Sequence, residues 1–358
     1  MPPTKTVLTN GSVTGRTLTV DVIDVGQGNG VLVTLPNGSH ILVDCGSLAK
    51  SILGKVFKRV QAYVTAVTGG NNIACVVMTH SEKDHTAFIP WITEAQNPTW
   101  VHYGGRPGHY NDELTAWLKK VTKQGAEVWN YRKFAEGGYT TSTSDADFGS
   151  PTTAGEAQLI VLGVNLGETP NDSSIVLMIR YGDQAVILPG DASEGVEALI
   201  MGKVPAALLK KCTVLMAGHH GSFTSTSRDW ATLLKPQISP TSASGTNSGF
   251  AHPDCATVAL LEEFTLNSAT AHDIICSDGK GQPYNRRNTT RAVFVTAVQG
   301  DIRYQTNGDK YKVQVSSLTA AVPQAVPMLD PTLDRMVVNA PWRRDHPPAF
   351  VTPPRVVA

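Results

Sequence analysis

Three apolar, strand-like runs in this sequence lead directly into residues that can bind metal ions. "VVMT" is followed by His80, "AVILPG" by Asp191, and "VLMAG" by His219 and His220. Apolar runs of this length, bounded by glycine and polar residues, are typical of buried strands. The ordinary polarity of surface loops explains poorly why several strands should each end in a side chain that can bind a metal ion. The pattern therefore predicts an α/β framework with a functional site built from the loops at strand ends.

The first of these loops, "HSEKDH", is dense in possible ligands. Histidine coordinates a metal through a neutral ring nitrogen, while carboxylates neutralise the charge of the cation. If the segment is extended, alternation places His80, Glu82 and Asp84 on one side of the chain. We then expect His80 and Glu82 to face one cation, and Asp84 and His85 to face a second. A solvated polar loop is the alternative for this segment taken alone.

The order of predicted elements suggests one large domain and a tail. Strands and helices alternate up to about residue 181, and "SSIVLMIRYGDQAVILPGD" begins a second sheet with a hairpin at Gly182 and Asp183. From about residue 316 the chain is rich in proline and lacks helical or strand periodicity. We expect one large domain at 1–315 and a proline-rich tail at 316–358, which could dock a protein partner.

The composition restricts partners and location. The 358 residues carry 30 basic and 30 acidic side chains, so the formal net charge is zero and any contact with nucleic acid needs a local patch. The N-terminus lacks the apolar core of a secretory signal, and no stretch is apolar for long enough to span a bilayer. We expect a cytoplasmic protein with no membrane partner, whose five scattered cysteines are mostly reduced and buried.

Several motifs together resemble one family. "HSEKDH" resembles the HxHxDH loop of the metallo-β-lactamase superfamily, and "LPGDAS" and "AGHHGS" resemble its later aspartate and histidine motifs. With "DVIDVGQGNG" and "FAHPD", the set resembles the soluble hydrolase domain of the ComEC family of competence DNA-uptake proteins. The resemblance implies a four-layer αββα sandwich, of class α/β (α+β), with its metal site at the sheet edges. It also implies phosphodiester hydrolysis by a metal-bound hydroxide, here in a freestanding hydrolase.

Roles are carried over by matching motifs. The resemblance implies that Asp44 orients a ligand from behind the site and that His252 lies at its rim, where it could contact a phosphate oxygen or protonate the leaving oxygen. Asp84 or Asp191 could orient the attacking hydroxide. His219 matches the last ligand, and His220 could replace it in that role. The implied metal ligands are His80, Glu82, Asp84, His85, Asp191 and His219 or His220.

Two departures from the superfamily pattern affect the choice of metal. Glu82 stands where the superfamily has histidine, and the usual histidine before the aspartate motif is missing. An Asn/Ser segment with Asn171 and Ser174 occupies that interval instead, as in the ComEC-like branch. Fewer nitrogen ligands favour harder ions, so we expect one or two divalent cations, with manganese or magnesium competing with zinc.

Substrate contacts are predicted near the strand-end loops. Asn171, Ser174 and Ser222 are candidates for contact with the phosphoryl group, although Ser222 could equally be a turn residue. Arg286 and Arg287, beside Tyr284, suit a single-stranded nucleic acid whose phosphates are clamped and whose bases stack, and a solvated loop is the alternative. The remaining histidines are predicted to be structural: His40, His102, His109, His272 and His346.

The predicted function is a metal-dependent phosphodiesterase or nuclease acting on DNA, RNA or a nucleotide. Two alternatives remain from the sequence: a hydrolase of a non-phosphate ester, lactone or lactam, and a non-catalytic scaffold stabilised by metal. Glu82 and the missing histidine argue against the first alternative. Retention of Asp84, His85 and Asp191 argues against the second, since a scaffold has no need of an open cation pair.

Overall fold

The computed structural model describes residues 1–48, 54–130, 140–141, 157–246 and 250–317. Its strands are β1 (Lys5–Thr9), β2 (Leu18–Val22), β3 (Gly30–Thr34), β4 (His40–Cys45), β5 (Ile73–Met78), β6 (Trp100–Tyr103), β7 (Glu127–Asn130), β8 (Thr140–Thr141), β9 (Gln158–Gly163), β10 (Val176–Tyr181), β11 (Gln184–Leu188), β12 (Val214–Leu215), β13 (Ser239–Thr241), β14 (Ser268–Ser277), β15 (Tyr284–Arg291), β16 (Val293–Val295), β17 (Ile302–Thr306) and β18 (Tyr311–Val315). Its α-helices are α1 (Lys55–Thr68), α2 (Lys83–Thr86), α3 (Ile89–Ile92), α4 (Asp112–Lys123), α5 (Glu194–Lys203), α6 (Ala206–Leu209), α7 (Arg228–Leu234), α8 (Cys255–Phe264) and α9 (Thr296–Gln299).

Two sheets form the framework. The larger has the order β1-β18-β17-β2-β3-β4-β5-β6-β7, and the smaller has the order β12-β11-β10-β9-β8. Strands β2, β3 and β4 form an antiparallel meander, and the predicted turn at Gly182 and Asp183 joins β10 to β11 as a hairpin. Strands β4, β5 and β6 run parallel, so they end at the same edge of the sheet.

Alternating apolar side chains divide the core into layers. One face of each sheet contributes to a shared core, with Val31 and Val43 from the larger sheet and Leu177 and Val186 from the smaller. The outer face of the larger sheet packs on α1 and α4, and the outer face of the smaller sheet packs on α5 and α7. The layers are therefore helix, sheet, sheet and helix, which confirms the predicted αββα sandwich.

Helix α1 shows how the sequence produces the outer layer. Phe57, Val60 and Val64 recur at helical spacing and are buried against the larger sheet, while lysine and arginine occupy the opposite side. Gly69 ends the helix with φ 61°, a left-handed conformation that glycine adopts at little cost. The helix therefore begins and ends close to where the periodicity indicates.

The structure corrects three expectations. Residues 83–86 form the helix α2, so the alternation argument for an extended "HSEKDH" segment is wrong. The arginine-containing stretch at 284–291 is the strand β15, which pairs with β14. Cys255 and Cys276 form a disulfide, whereas Cys45, Cys75 and Cys212 are free and buried as predicted.

Other predictions fall partly outside what the structure describes. The proposed tail lies outside the described residues from 318 onward, and His346 lies there too. Within the described ranges, no helix is both long and apolar enough to cross a lipid bilayer.

Candidate metal centre

Strand ends from both sheets deliver the predicted ligands to one place. Two overlapping groups form there, each with its candidate ligand atoms within 4.8 Å of one another. The first group is His80, His85 and Asp191, and the second is Asp84, His85 and His220. We call these five residues the His/Asp cluster. The grouping differs from the expected pairing of Asp84 with His85 alone, because α2 turns His85 towards both groups.

Asp191 lies at the centre of the cluster. Its Oδ1 atom is 3.0 Å from Nε2 of His85, and its Oδ2 atom is 3.8 Å from Nε2 of both His80 and His220. The Oδ2 atom is also 3.6 Å from Nε2 of His219. The carboxylate is 2% exposed, so these contacts are made almost without solvent. One carboxylate with histidines on both of its oxygens can bridge two cations.

Hydrogen bonds fix which nitrogen of each histidine faces the cluster. Nδ1 of His85 lies 2.8 Å from a carboxylate oxygen of Asp44, and Nδ1 of His220 lies 3.0 Å from the carbonyl oxygen of Ser242. Both partners accept hydrogen bonds, so each Nδ1 carries a proton and each Nε2 is the nitrogen that faces the cluster. Those two Nε2 atoms are 3.2 Å apart. Two ring nitrogens this close need a proton or a cation between them.

Asp44 is held by partners that the sequence analysis missed. Thr79 donates from its backbone N–H to Oδ1 (2.8 Å) and from its hydroxyl to Oδ2 (2.8 Å), and the Asn29 amide donates to Oδ2 (2.9 Å). The Thr79 hydroxyl also lies 3.1 Å from Nδ1 of His80. The available signals were Thr79 itself, directly before the metal loop, and Asn29 in "GQGNG".

A close backbone approach holds α2 beneath the cluster. A Cβ atom at Gly46 would lie 2.5 Å from the carbonyl oxygen of Lys83 and from the backbone nitrogen of Thr86. Real Cβ atoms do not approach other atoms so closely, so only glycine fits at this position. The end of β4 therefore packs directly on the turn that carries Asp84 and His85.

The two adjacent histidines take different positions. Both have left-handed backbones, with φ 47° at His219 and φ 56° at His220, so the chain turns sharply between them. His220 is buried and its Nε2 atom is 3.5 Å from Oδ2 of Asp84. The side chain of His219 is 21% exposed, and its Nδ1 atom pairs with the Thr224 hydroxyl at 3.0 Å. The structure thus brings His220 into the cluster and leaves His219 beside Asp191.

Burial and neighbouring charges set the protonation of the cluster. Burial favours neutral His85, but the carboxylates of Asp191 and Asp44 outweigh it and hold the pKa of His85 well above its usual range. Burial also opposes charge on Asp191, but His85 and His220 hold the pKa of Asp191 well below its usual range. Burial, together with the charge of His85, lowers the pKa of His80 to about 4. Without metal, the cluster therefore combines ionised carboxylate with a protonated His85 and a neutral His80. A divalent metal would displace the second ring proton of His85, because metals bind the neutral form of imidazole.

The remaining predicted ligand and rim residues flank the cluster. Glu82 is largely exposed, and the partial burial of its carboxylate, together with the charge of Asp84, raises the pKa of Glu82 to about 7. It belongs to neither ligand group. The His252 ring centroid lies 5.4 Å from that of His219 and 6.4 Å from that of His220. Burial lowers the pKa of His252 to about 4.

Predicted substrate residues fall into two sets. Ser174 supports the cluster, because its hydroxyl accepts a hydrogen bond from the Asp191 backbone N–H at 3.1 Å and lies 3.4 Å from Nδ1 of His80. Ser222 is 2% exposed and its hydroxyl pairs with Thr224, as a turn residue would. Asn171 begins the short 3-10 turn that precedes Ser174, and its side-chain oxygen is buried.

The two predicted arginines are already paired. Arg286 contacts the Asp273 carboxylate at 2.7 Å, and Arg287 forms an ion pair with Glu262 on α8. Both arginines belong to β15, which forms a two-stranded sheet with β14. Each arginine would have to break its ion pair before it could bind a phosphate.

The cluster passes a test of fit for metal ions. His80 Nε2 and Asp191 Oδ2 are buried and have no hydrogen-bond partner among the residues that the structure describes. A buried polar atom without a partner is costly, so these two atoms favour a ligand that accepts their lone pairs. With imidazole nitrogens and carboxylate oxygens converging on one space, the donor set suits zinc, manganese or a similar divalent ion.

Fold and cluster together define an αββα hydrolase fold with a His/Asp centre suited to divalent cations. The family model of the Metallo-beta-lactamase superfamily matches residues 23–243, and the chain belongs to this superfamily. Its relatives include ComE operon protein 3 of Bacillus subtilis (strain 168), 25% identical over 260 residues covering 69% of this chain and 31% of that protein. Competence protein ComA of Neisseria gonorrhoeae is 28% identical over 255 residues, covering 71% of this chain and 30% of that protein.

The chain thus spans about a third of the length of these curated relatives. Among solved structures, the metallo-beta-lactamase fold protein YhfI of Bacillus subtilis is similar, with 17% identity and a TM-score of 0.34. That similarity covers 56% of this chain and 70% of YhfI. The superfamily prediction and its competence-related branch are confirmed by these matches.

Proposed function

We propose that this chain is a metal-dependent phosphodiesterase that acts on nucleic acid or a nucleotide, with the His/Asp cluster as its active centre. The observation that carries the proposal is the pair of Nε2 atoms of His85 and His220, which are 3.2 Å apart and both close to Asp191. A divalent cation at this place would replace the proton that the contact otherwise needs. The competence proteins among the relatives support nucleic acid as the substrate class.

The ligand set follows from the geometry. We assign His80, His85 and Asp191 to one cation and Asp84, His85 and His220 to a second, with His220 in place of His219 as the last histidine. Oxygen atoms from Asp84 and Asp191 make manganese a suitable ion, alongside zinc and magnesium. Bound divalent ions would lower the pKa of a water molecule and draw negative charge from the phosphate oxygens.

The residues of the chain then have distinct tasks. Asp191 and Asp84 supply negative charge and can accept a hydrogen bond from the attacking water, which orients it towards phosphorus. His252 offers a ring N–H at the rim, where it can donate to a phosphate oxygen. Asp44, Thr79 and Ser174 keep His85, His80 and Asp191 oriented. None of these tasks needs a covalent intermediate with the protein.

The test is cleavage of a fluorescent single-stranded oligonucleotide by protein stripped of metal and refilled separately with manganese, magnesium and zinc. Asp84→Asn removes a ligand charge at nearly constant volume, and Asp183→Asn, in the exposed turn between β10 and β11, is the matched control. We expect cleavage that requires metal, survives in the control and is lost in Asp84→Asn. Refilled protein that binds metal but cleaves no phosphodiester would contradict the proposal.

A further inference from the structure

Two exposed phenyl rings lie within three residues of His220 or His252 in the chain. Phe250 is 50% exposed and Phe223 is 69% exposed, although most large apolar side chains among the described residues are buried. Of the two, Phe250 has a ring contact with His252 at the rim of the cluster. An exposed phenyl ring leaves apolar surface in water, so one that contacts the rim of an active centre suggests a ligand that covers it.

Phe250 extends a row of rings that starts in the cluster. The rings of Phe250 and His252 are stacked, with centroids 6.1 Å apart and an interplanar angle of 29°. The rings of His252 and His220 are stacked in turn, with centroids 6.4 Å apart and an angle of 27°. Because neighbouring planes in this row differ by less than 30°, a flat group packed on Phe250 would continue the series outward from His220.

The segment that carries Phe250 is anchored. The Tyr284 hydroxyl lies 2.9 Å from the carbonyl oxygen of His252 and 3.1 Å from that of Thr246, on either side of Phe250 in the chain. The Ser277 backbone N–H donates to the carbonyl oxygen of Pro253, and the Asp254 backbone N–H donates to that of Gly221. Gly221 directly follows His220, so the chain just after Phe250 contacts the turn that carries His220.

From this arrangement we infer that Phe250 is a stacking platform for a nucleobase attached to the phosphodiester at the cluster. The inference rests on the proposed function and deepens it, because it names the side chain that binds the base. Aromatic side chains bind bases of any sequence through their faces, so the platform provides affinity without base preference. The ion-paired Arg286 and Arg287 are not needed for this recognition.

The test compares two oligonucleotides with the same number of phosphates, one with normal bases and one with abasic sites, in cleavage by manganese-loaded protein. We expect Phe250→Leu to raise KM for the base-bearing strand by about tenfold, the size of one lost stacking contact. KM for the abasic strand should not change. Phe250→Tyr, which keeps the ring, should restore the wild-type KM. Leu266→Ala removes another exposed apolar side chain and serves as the control.

A binding measurement keeps this inference separate from the proposed function. Metal-free protein is titrated with an oligonucleotide carrying 2-aminopurine, whose fluorescence is quenched when the base stacks. Quenching that depends on Phe250 supports the platform even if no strand is cleaved, in which case the phosphodiesterase proposal alone fails. Cleavage of both strands with equal KM, without quenching, would overturn the platform and leave the phosphodiesterase proposal standing. A dinucleotide in place of the strand distinguishes a small nucleotide from a polymer.

Discussion

The Nδ1 atom of His85 lies 2.8 Å from Oδ2 of Asp44, although 41 residues separate the two in the sequence. This contact fixes the tautomer of His85 and aims its other nitrogen at Asp191. The carboxylate that does so is itself held by three hydrogen bonds from Thr79 and Asn29. The orientation of the candidate ligand His85 is therefore determined by residues that lie behind the cluster.

Asp44→Asn is expected to lower manganese affinity by about 10- to 100-fold, because an amide holds the His85 ring less well than a carboxylate. Asp44 has a left-handed backbone with φ 52°, which asparagine tolerates, so the fold should persist. Isothermal titration of metal-free protein measures the change, with Asp183→Asn as the control. An affinity equal to that of the wild type would show that Asp44 does not orient a ligand.

The assignment of the last histidine ligand is tested by a matched pair, His219→Asn and His220→Asn. Both positions have left-handed backbones that asparagine accepts, so the two variants differ mainly in which ring is lost. We expect His220→Asn to lose one equivalent of bound metal and His219→Asn to keep it, as measured by metal content after dialysis. The reverse result would restore the original sequence-based match to His219.

Acid stability is expected to depend on His102. Its side chain is buried in β6, and burial lowers its pKa from 6.5 to about 3. The unfolded chain therefore binds a proton more readily than the folded protein, and this contribution to stability falls as the pH drops below 6.5. From about pH 7 to about pH 5 the loss is about 2 kcal/mol.

Urea unfolding of metal-free wild type and His102→Gln at both pH values measures this effect. The comparison uses the change in stability with pH, so a constant cost of the substitution cancels. We expect a smaller pH-dependent loss in the variant. An equal loss in both proteins would assign the acid sensitivity to other groups.

The disulfide between Cys255 and Cys276 joins the start of α8 to β14, three residues after the rim histidine His252. For its sequence separation of 21 residues, loop-closure entropy predicts a contribution of about 3 kcal/mol to the free energy of unfolding. Cys255→Ala with Cys276→Ala should lower the melting temperature to that of reduced wild type. Reductant should then have no further effect on the variant. If reductant did not change the melting temperature of the wild type, the disulfide between Cys255 and Cys276 would be contradicted.

Much of the framework could be predicted from the sequence, because apolar runs and glycine turns are local signals. The β2–β3–β4 meander, the β10–β11 hairpin and the strand ends that carry His80, Asp191 and His220 all follow from such runs. The four-layer arrangement came from the family resemblance, and the buried faces of the two sheets agree with it.

The details of the site depend on contacts that no local pattern contains. The choice of His220 over His219 as the buried ring follows from two consecutive left-handed residues, a conformation that the pair "HH" does not indicate. The two ligand groups overlap at His85 because α2 replaces the extended segment that alternation assumed. The pairing of Arg286 with Asp273 and the bond between Cys255 and Cys276 are likewise contacts between distant parts of the chain.

We expect the His/Asp cluster to hold divalent cations in its two candidate ligand groups, one formed by His80, His85 and Asp191 and the other by Asp84, His85 and His220. Anomalous diffraction from crystals grown with manganese, recorded on both sides of the manganese absorption edge, shows whether it does. We predict an anomalous peak within coordination distance of Nε2 of His85 or His220 and of a carboxylate oxygen of Asp191 or Asp84. Crystals whose manganese lies elsewhere, with Nε2 of His85 still hydrogen-bonded to Nε2 of His220, would contradict this assignment.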